Sequence, residues 1–172
     1  GLMRVAVMIS TRNKLGYLKM TVVHNQILAG LDADWFCWDD GSSDGTWDWI
    51  SLSGLFKASF RMPNQKGIAY CKNRQFEYAC LEGYDYICGL DDDVMLSFNW
   101  LHNLVKDFQE ERWGGIGIIA PLVVNDSTMQ GKVGSLLGKE NDRLACVDGL
   151  GAACTVIPQK VFTNFVWEED RP

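Results

Sequence analysis

The chain has 172 residues and a formal net charge of −6, with 47% hydrophobic and 22% charged residues. This length predicts one domain with a sizeable core, and the apolar content excludes an intrinsically disordered chain. The acidic balance argues against a general nucleic-acid-binding surface, which needs a basic face. No apolar run reaches about 18 residues, so the sequence predicts no membrane-spanning helix.

The first half of the chain alternates short apolar runs with helical patterns. Runs bounded by turn signals predict strands at residues 4–10, 34–38, 56–62 and 84–90. Apolar residues at helical spacing predict helices between them, at residues 15–29, 46–55 and 68–81. This alternation favours an α/β fold with a mostly parallel sheet.

The second half has a weaker pattern. An amphipathic helix is predicted at 97–112 and a fifth strand at 116–120. Residues 121–148 favour loops with short strands. Residues 158–165 predict a short helix with proline in its first turn.

The chain contains six cysteines, which bear on its compartment. They are Cys37, Cys71, Cys80, Cys88, Cys146 and Cys154. None forms a C-x-x-C pair, which argues against a zinc ribbon. Most lie in apolar segments, where free thiols pack as small hydrophobic side chains. We therefore expect free cysteines and a cytoplasmic protein.

Polar loops follow three of the predicted strands, at residues 10–13, 39–44 and 91–93. Open parallel sheets bind ligands outside the carboxyl ends of their strands, near a switch in strand order. Three consecutive carboxylates repel one another unless a positive charge lies among them. In an extended chain, Asp91 and Asp93 point to one face, and two such oxygens suit Mg²⁺ or Mn²⁺. A solvated acidic turn is the alternative interpretation.

Four segments in chain order carry a family resemblance. They are Val5–Asn13, the Asp-Asp-Gly-Ser-Ser-Asp-Gly-Thr run Asp39–Thr46, the glycine-led Gly67–Asn73, and Gly83–Asp93, which ends in three aspartates. Together they resemble glycosyltransferase family 2, enzymes of the GT-A fold. The resemblance implies a Rossmann-related α/β/α sandwich with a mostly parallel central sheet. It also implies one domain over 1–172, with a nucleotide-binding half (1–110) and an acceptor-side half (111–172).

The resemblance implies an inverting transfer of a sugar from a nucleoside diphosphate donor, with UDP-sugars favoured, to an acceptor hydroxyl. The acceptor class stays open among carbohydrate, lipid and protein, and peripheral membrane association is compatible with it. The donor-binding residues implied are Thr11, Asn13, Asp39, Asp40, Ser42, Lys72 and Asp91. The family's Asp-x-Asp (DXD) motif corresponds to Asp91 and Asp93, which would hold Mn²⁺ or Mg²⁺. Such an ion stabilises the charge that develops on the leaving diphosphate.

The resemblance also implies a carboxylate base that removes the proton of the acceptor hydroxyl. Gly149–Ile157 resembles the glycine-rich segment that precedes it, and Asp170 is the first candidate, with Glu169 second. An acidic chain end is the alternative interpretation. Family members usually continue with acceptor-binding helices, so a compact member, an incomplete acceptor half and a base further along the chain all stay open.

Two other functions stay open at this point. A nucleotide-sugar-binding module would share the donor site without full activity. A sugar-phosphate nucleotidyltransferase also uses an α/β sheet and paired carboxylates, but its first loop is usually glycine-rich and basic. Residues 10–14 contain no glycine, which disfavours this class. The absence of G-x-G-x-x-G and G-x-x-x-x-G-K-[ST] disfavours dehydrogenases and P-loop NTPases.

Overall fold

A computed structural model describes residues 2–109, 136–139, 145–147 and 153–164. The elements in chain order are β1 (Val5–Thr11), α1 (Leu15–Leu28), β2 (Asp34–Asp39), α2 (Thr46–Leu52), β3 (Ala58–Arg61), α3 (Ile68–Glu82), β4 (Tyr86–Asp91), α4 (Trp100–Gln109), β5 (Leu136–Lys139), β6 (Ala145–Val147), β7 (Cys154–Pro158) and α5 (Gln159–Phe162). No helix in these ranges is long and apolar enough to cross a membrane.

Within the described ranges, the central sheet has five strands in the order β3-β2-β1-β4-β7. The pairings β3–β2, β2–β1 and β1–β4 are parallel, and β7 runs antiparallel to β4. The chain moves outward from β1 to β3 and then returns to the other side of β1 to form β4. The strand order therefore reverses between β1 and β4. The expected mostly parallel α/β sheet is confirmed.

The two faces of the sheet carry separate hydrophobic cores. Val7 and Ile9 of β1 face a core formed with α1, α2 and α4. Ala6 and Met8 of the same strand face a core formed with α3 and α5. This period-2 alternation buries both faces of the strand, which explains why β1 is apolar almost without interruption. Helices thus cover both faces of the sheet, and the layers are α/β/α.

Strand β7 is the main difference from the sequence prediction. The sequence predicts a glycine-rich segment over Gly149–Ile157, followed by a helix, and no strand between them. All five residues of β7 are buried, and they pair with β4 along its free edge. This pairing is a tertiary contact that covers an otherwise open strand edge, so local sequence pattern does not reveal it.

Some helix boundaries differ from the prediction by three residues. Helices α2 and α5 end three residues early, at Leu52 and Phe162, and α4 begins three residues late, at Trp100. Asn99 has a φ of 58°, a left-handed conformation that cannot be part of a right-handed helix. Its carbonyl accepts the first helical hydrogen bond, from the backbone N–H of Asn103 at 2.9 Å. The strand predicted at 116–120 lies outside the described residues.

Candidate nucleotide-sugar site

The sheet brings the three polar loops to one edge. Ser10 lies opposite Asp91 in the β1–β4 register, and Thr11 lies opposite Asp39 in the β1–β2 register. The carboxyl ends of β1, β2 and β4 therefore end side by side, and the reversal of strand order falls between β1 and β4. This crevice is where open α/β sheets bind their ligands.

Asp39 is the last residue of β2 and is enclosed by the loop that follows this strand. Its carboxylate is fully buried and accepts hydrogen bonds from the backbone N–H of Ser42, at 3.2 and 3.3 Å to its two oxygens. The Nε atom of Arg61 lies 3.5 Å from Oδ2 of Asp39. Arg61 also donates to the carbonyl of Ser42 at 3.1 Å, and its guanidinium lies 5.7 Å from the ring centroid of Trp47. The buried carboxylate is thus paired and hydrogen-bonded, as a buried charge requires.

Arg61 was missed by the sequence analysis. It is the last residue of β3, and its position opposite Asp39 appears only in the register between β2 and β3.

Asp40 connects the same loop to the start of α3. Its two oxygens accept hydrogen bonds from the backbone N–H groups of Lys66 at 2.6 Å and Gly67 at 2.9 Å. These donors immediately precede the helix, so the carboxylate also lies at its positive end. Burial raises the pKa of the nearby Cys71 thiol to about 12, and the charge of Asp40 adds to this effect. That thiol therefore stays protonated at neutral pH.

Asn13 and Ser42 join the first loop to the second. The backbone N–H of Asn13 donates to the Ser42 hydroxyl at 2.9 Å, and the Ser43 N–H donates to the Asn13 side chain at 2.8 Å. Asn13 has a φ of 51°, which asparagine tolerates better than most residues. Gly41 has a φ of 75°, and a Cβ there would lie 3.0 Å from the Asn64 backbone. Glycine is therefore required at that position for two reasons, the positive φ and the lack of space for a Cβ.

Asp92 is the inward-facing member of the acidic loop. The chain turns after Asp91 rather than staying extended, and the Thr11 hydroxyl donates to the Asp92 carboxylate at 2.6 Å. The Thr21 hydroxyl donates to the Asp92 carbonyl at 2.8 Å. Thr11 is 3% exposed, so its hydroxyl positions the acidic loop in this structure. Direct contact of Thr11 with a nucleotide stays a prediction.

Asp91 lies in an unfavourable electrostatic environment, next to the exposed Asp93. Asp91 is half-buried and Asp93 is exposed. Burial raises the pKa of Asp91, the positive charge of Lys72 opposes this, and the negative charge of Asp93 adds to it. Burial likewise lowers the pKa of Lys72, while Asp91 counteracts the effect. On the other side of the loop, Nζ of Lys14 lies 3.4 Å from Oδ2 of Asp93.

These carboxylates fit a divalent ion that takes few protein ligands. No group of three or more His, Cys, Asp or Glu side chains is arranged to hold a metal in the part of the chain that the structure describes. Mg²⁺ commonly uses only one or two carboxylates and completes its shell with phosphate oxygens and water. An added positive charge would offset both the desolvation of Asp91 and its repulsion by the exposed Asp93.

The structure thus gathers the candidate donor-binding residues at one edge of the sheet. The candidate bases Asp170 and Glu169 lie outside the described residues, and their role stays a prediction. The ligand contacts assigned to Thr11, Asn13, Asp39, Asp40, Ser42, Lys72, Asp91 and Asp93 also stay predictions.

A model of the family described as "Glycosyl transferase family 2" matches residues 6–133. The chain belongs to glycosyl transferase family 2. The match begins in β1 and continues beyond α4, so it includes both acidic loops. No curated protein sequence matches the chain.

Solved structures of glycosyltransferases share the fold. The mannosyltransferase PcManGT from Pyrobaculum calidifontis, in complex with GDP-Man and Mn²⁺, has a TM-score of 0.62 at 14% identity, over 91% of this chain and 45% of that chain. TarS from S. aureus, in complex with UDP-GlcNAc, has a TM-score of 0.53 at 16% identity, over 63% of this chain and 32% of that chain. The chain therefore has the GT-A fold and spans less than half the length of these two proteins.

Proposed function

We propose that this chain transfers a sugar, with inversion, from a nucleoside diphosphate donor to an acceptor hydroxyl. The observation that carries the proposal is the acidic loop after β4. Its carboxylates lie at the reversal of strand order, and Asp91 is partly desolvated. Lys72 interacts with Asp91, and Lys14 pairs with Asp93. Family membership adds that proteins sharing these motifs are glycosyltransferases.

The donor's base and ribose would lie against the loops after β1 and β2. Hydrogen bonds already hold these two loops together, from Asn13 N–H to the Ser42 hydroxyl and from Asp40 N–H to the Thr11 carbonyl. The Asp40 carboxylate also ties the second of these loops to the start of α3. A rigid floor of this kind reduces the ordering that a ligand must impose on binding. UDP is the favoured donor nucleotide because of the family resemblance. GDP is the principal competitor, since PcManGT is described in complex with GDP-Man.

The diphosphate would lie over Asp91 and Asp93. A divalent ion bound there, Mn²⁺ or Mg²⁺, would supply Lewis-acid stabilisation of the leaving diphosphate. Lys72 is 8% exposed and reaches the same region, where it can act as a point charge toward phosphate. Asp170, or else Glu169, would remove the proton of the acceptor hydroxyl.

The proposal extends to the organisation and location of the protein. Residues 1–110 would form the nucleotide-binding half and 111–172 the acceptor-side half of one domain. The acceptor would be a carbohydrate, a lipid or a protein, with peripheral membrane association where it is a lipid. A cytoplasmic location is supported by Cys37, Cys71, Cys80, Cys88 and Cys154, all of which are free thiols.

The test is thermal unfolding with UDP, GDP, dTDP and CDP, each with and without Mn²⁺. A nucleotide present at about 100 times its Kd should add about 2.7 kcal/mol of stability, which is a shift of several degrees at this chain length. We expect one nucleotide to stabilise the protein, with Mn²⁺ required. The Asp91→Asn/Asp93→Asn variant should lose this shift, and Asp32→Asn, an exposed aspartate before β2, should keep it.

A positive result is followed by incubation with the matching nucleotide sugar. Release of the nucleoside diphosphate supports the transferase, whereas binding without turnover in a broad acceptor panel favours the binding module. Release of pyrophosphate from a nucleoside triphosphate would instead indicate a nucleotidyltransferase. No shift with any nucleotide in the presence of Mn²⁺ would contradict the proposed donor site.

A further inference from the structure

Lys14 is a cation at the acidic loop to which nothing above assigns a function. It precedes α1, and its Nζ atom reaches across the crevice to within 3.4 Å of Oδ2 of Asp93. This contact connects the loop after β1 with the loop after β4, at the reversal of strand order. Nζ also lies 4.8 Å from the ring centroid of Tyr17, one turn further along α1.

The ion pair itself gives little reason for a lysine at this position. The side chains of Lys14 and Asp93 are 41% and 44% exposed. Exposed pairs at this separation contribute little to stability, because water screens the charges and both side chains lose freedom. The acidic loop is held in place by other contacts, the buried hydrogen bond from Thr11 to Asp92 among them.

The same placement matters much more once a ligand binds. A divalent ion on Asp93 would lie close to the Lys14 ammonium group, and the two positive charges would repel each other. A diphosphate bound beside the divalent ion would bring negative charge close to both the ion and the Lys14 ammonium group. Lys14 should therefore oppose the binding of the metal alone and favour the binding of metal together with diphosphate.

Lys14 has a fixed backbone and a flexible side chain, so its ammonium group can move from Asp93 to a bound diphosphate. Its backbone is fixed, because its carbonyl accepts the helical hydrogen bond from Leu18 at 2.9 Å and Asn13 before it is tied to the second loop. Its side chain is a flexible four-carbon stem with a compact charge at the end. Lys72 differs, because it is buried within α3 and approaches Asp91 from the other side of the loop.

We propose that Lys14 pairs with Asp93 in the donor-free protein and transfers to the donor's diphosphate when metal and nucleotide bind. This inference rests on the proposed function and adds a diphosphate-binding residue to it. The exchange makes metal and nucleotide bind cooperatively. Since such coupling is reciprocal, each ligand increases the affinity for the other by the same factor.

The experiment is isothermal titration calorimetry with the wild type, Lys14→Met and Lys14→Arg. Mn²⁺ is titrated alone and in the presence of UDP, or of GDP where the wild type prefers it. In Lys14→Met, we expect unchanged or tighter binding of Mn²⁺ alone and about tenfold weaker binding of the nucleotide at saturating Mn²⁺, within the usual range of coupling. Lys14→Arg keeps the charge and should keep most of the coupling.

Lys19→Met is the matched control, because Lys19 is exposed on the same helix. It should leave the coupling between Mn²⁺ and nucleotide unchanged. Wild-type binding of Mn²⁺ and nucleotide with the same coupling in Lys14→Met would overturn this inference and leave the proposed function intact. Failure of the wild type to bind any nucleoside diphosphate with Mn²⁺ would overturn both.

Discussion

The loops after β2 and β4 lie on either side of β1, and both contain neighbouring aspartates. Where β2 meets its loop, Asp39 and Asp40 accept hydrogen bonds from backbone N–H groups, and Asp39 also pairs with Arg61. In the loop after β4, burial raises the pKa values of Asp91 and Asp92. Equally acidic sequences thus have different electrostatic balances at the same edge of one sheet.

The difference shows what backbone amides can do for a carboxylate. Hydrogen bonds to the charged form satisfy it inside the protein without a bound cation, and the loop after β2 is complete in this sense. The loop after β4 contains three carboxylates, with Lys14 and Lys72 as neighbouring cations, and a bound cation would offset the remaining negative charge. In the proposed function, the loop after β2 would form a rigid wall of the donor site, and the loop after β4 would supply the binding energy for a cation.

The largest expected effect is on ligand binding by the loop after β4. Asp93→Asn should weaken Mn²⁺-dependent nucleotide binding about 100-fold, or about 2.7 kcal/mol, because a neutral amide is a poor ligand for a hard cation. The melting temperature of the ligand-free protein should hardly change, since Asp93 is exposed. Calorimetry and thermal unfolding measure the two quantities. Equal nucleotide affinity with Mn²⁺ in variant and wild type would contradict the metal assignment.

Substitution in the loop after β2 should lower the stability of the protein. Asp40→Ala removes the acceptor for the Lys66 and Gly67 amides and should cost about 2 kcal/mol, the typical penalty for polar groups left without partners. Chemical denaturation measures this loss. The Asp40→Asn variant, which keeps one carbonyl oxygen, serves as the control and should lose less. A chemical denaturation curve of Asp40→Ala identical to that of the wild type would show that water replaces the carboxylate without a loss of stability.

The protein should become more stable when the acidic segment at the end of β4 loses a charge. Asp91→Asn should increase the stability of the metal-free protein at pH 7 by about 1 kcal/mol, or about 2–4 °C in Tm. The pKa of Asp91 is raised in the folded state, so its stabilising contribution is complete below the ordinary value of 3.8 and is lost as pH rises through the folded value.

The advantage of Asp91→Asn should therefore shrink as the pH is lowered toward 3.8. Thermal unfolding over a pH series tests the sign. A variant that is less stable than the wild type at neutral pH would mean that Lys72 compensates Asp91 fully.

The smallest effect concerns the pH dependence of metal binding. Protons compete with the metal for a carboxylate, and the raised pKa of Asp91 moves this competition to higher pH than for an ordinary aspartate. Mn²⁺ affinity should fall as pH decreases, with the decline beginning above the ordinary range of aspartate. Mn²⁺ titrations of wild type and Asp91→Asn follow this, and the variant should show a flatter profile.

Much of the fold could be predicted from the sequence. The alternating strands and helices from β1 to β4 follow from short apolar runs and helical spacing, and their boundaries fall within a few residues of the prediction. Strand β7 could not be predicted in this way, because its strand conformation depends on pairing with β4. The buried hydrogen bond between Thr11 and Asp92 likewise depends on a turn that local pattern does not specify.

The candidate site could be predicted by position more readily than by contact. The motifs identified the loops that meet at the sheet edge, and the β1–β2 and β1–β4 registers confirm that they are neighbours. The contribution of Arg61 needed the register across β2 and β3, and that of Lys14 needed the reach of its side chain. Such contacts between residues distant in sequence are set by tertiary packing.

The pairing of β4 with β7 also has a consequence for biosynthesis. The backbone N–H of Asp91 donates to the carbonyl of Ala153 at 2.8 Å, so the strand that leads into the acidic loop is completed by residues much later in the chain. At roughly 5–20 residues per second, the ribosome needs several seconds to add the intervening segment. During that interval β4 has an open edge, which can pair with other chains. A nascent chain released before β7 emerges would carry most of the candidate nucleotide-binding motifs and an unprotected edge beside them.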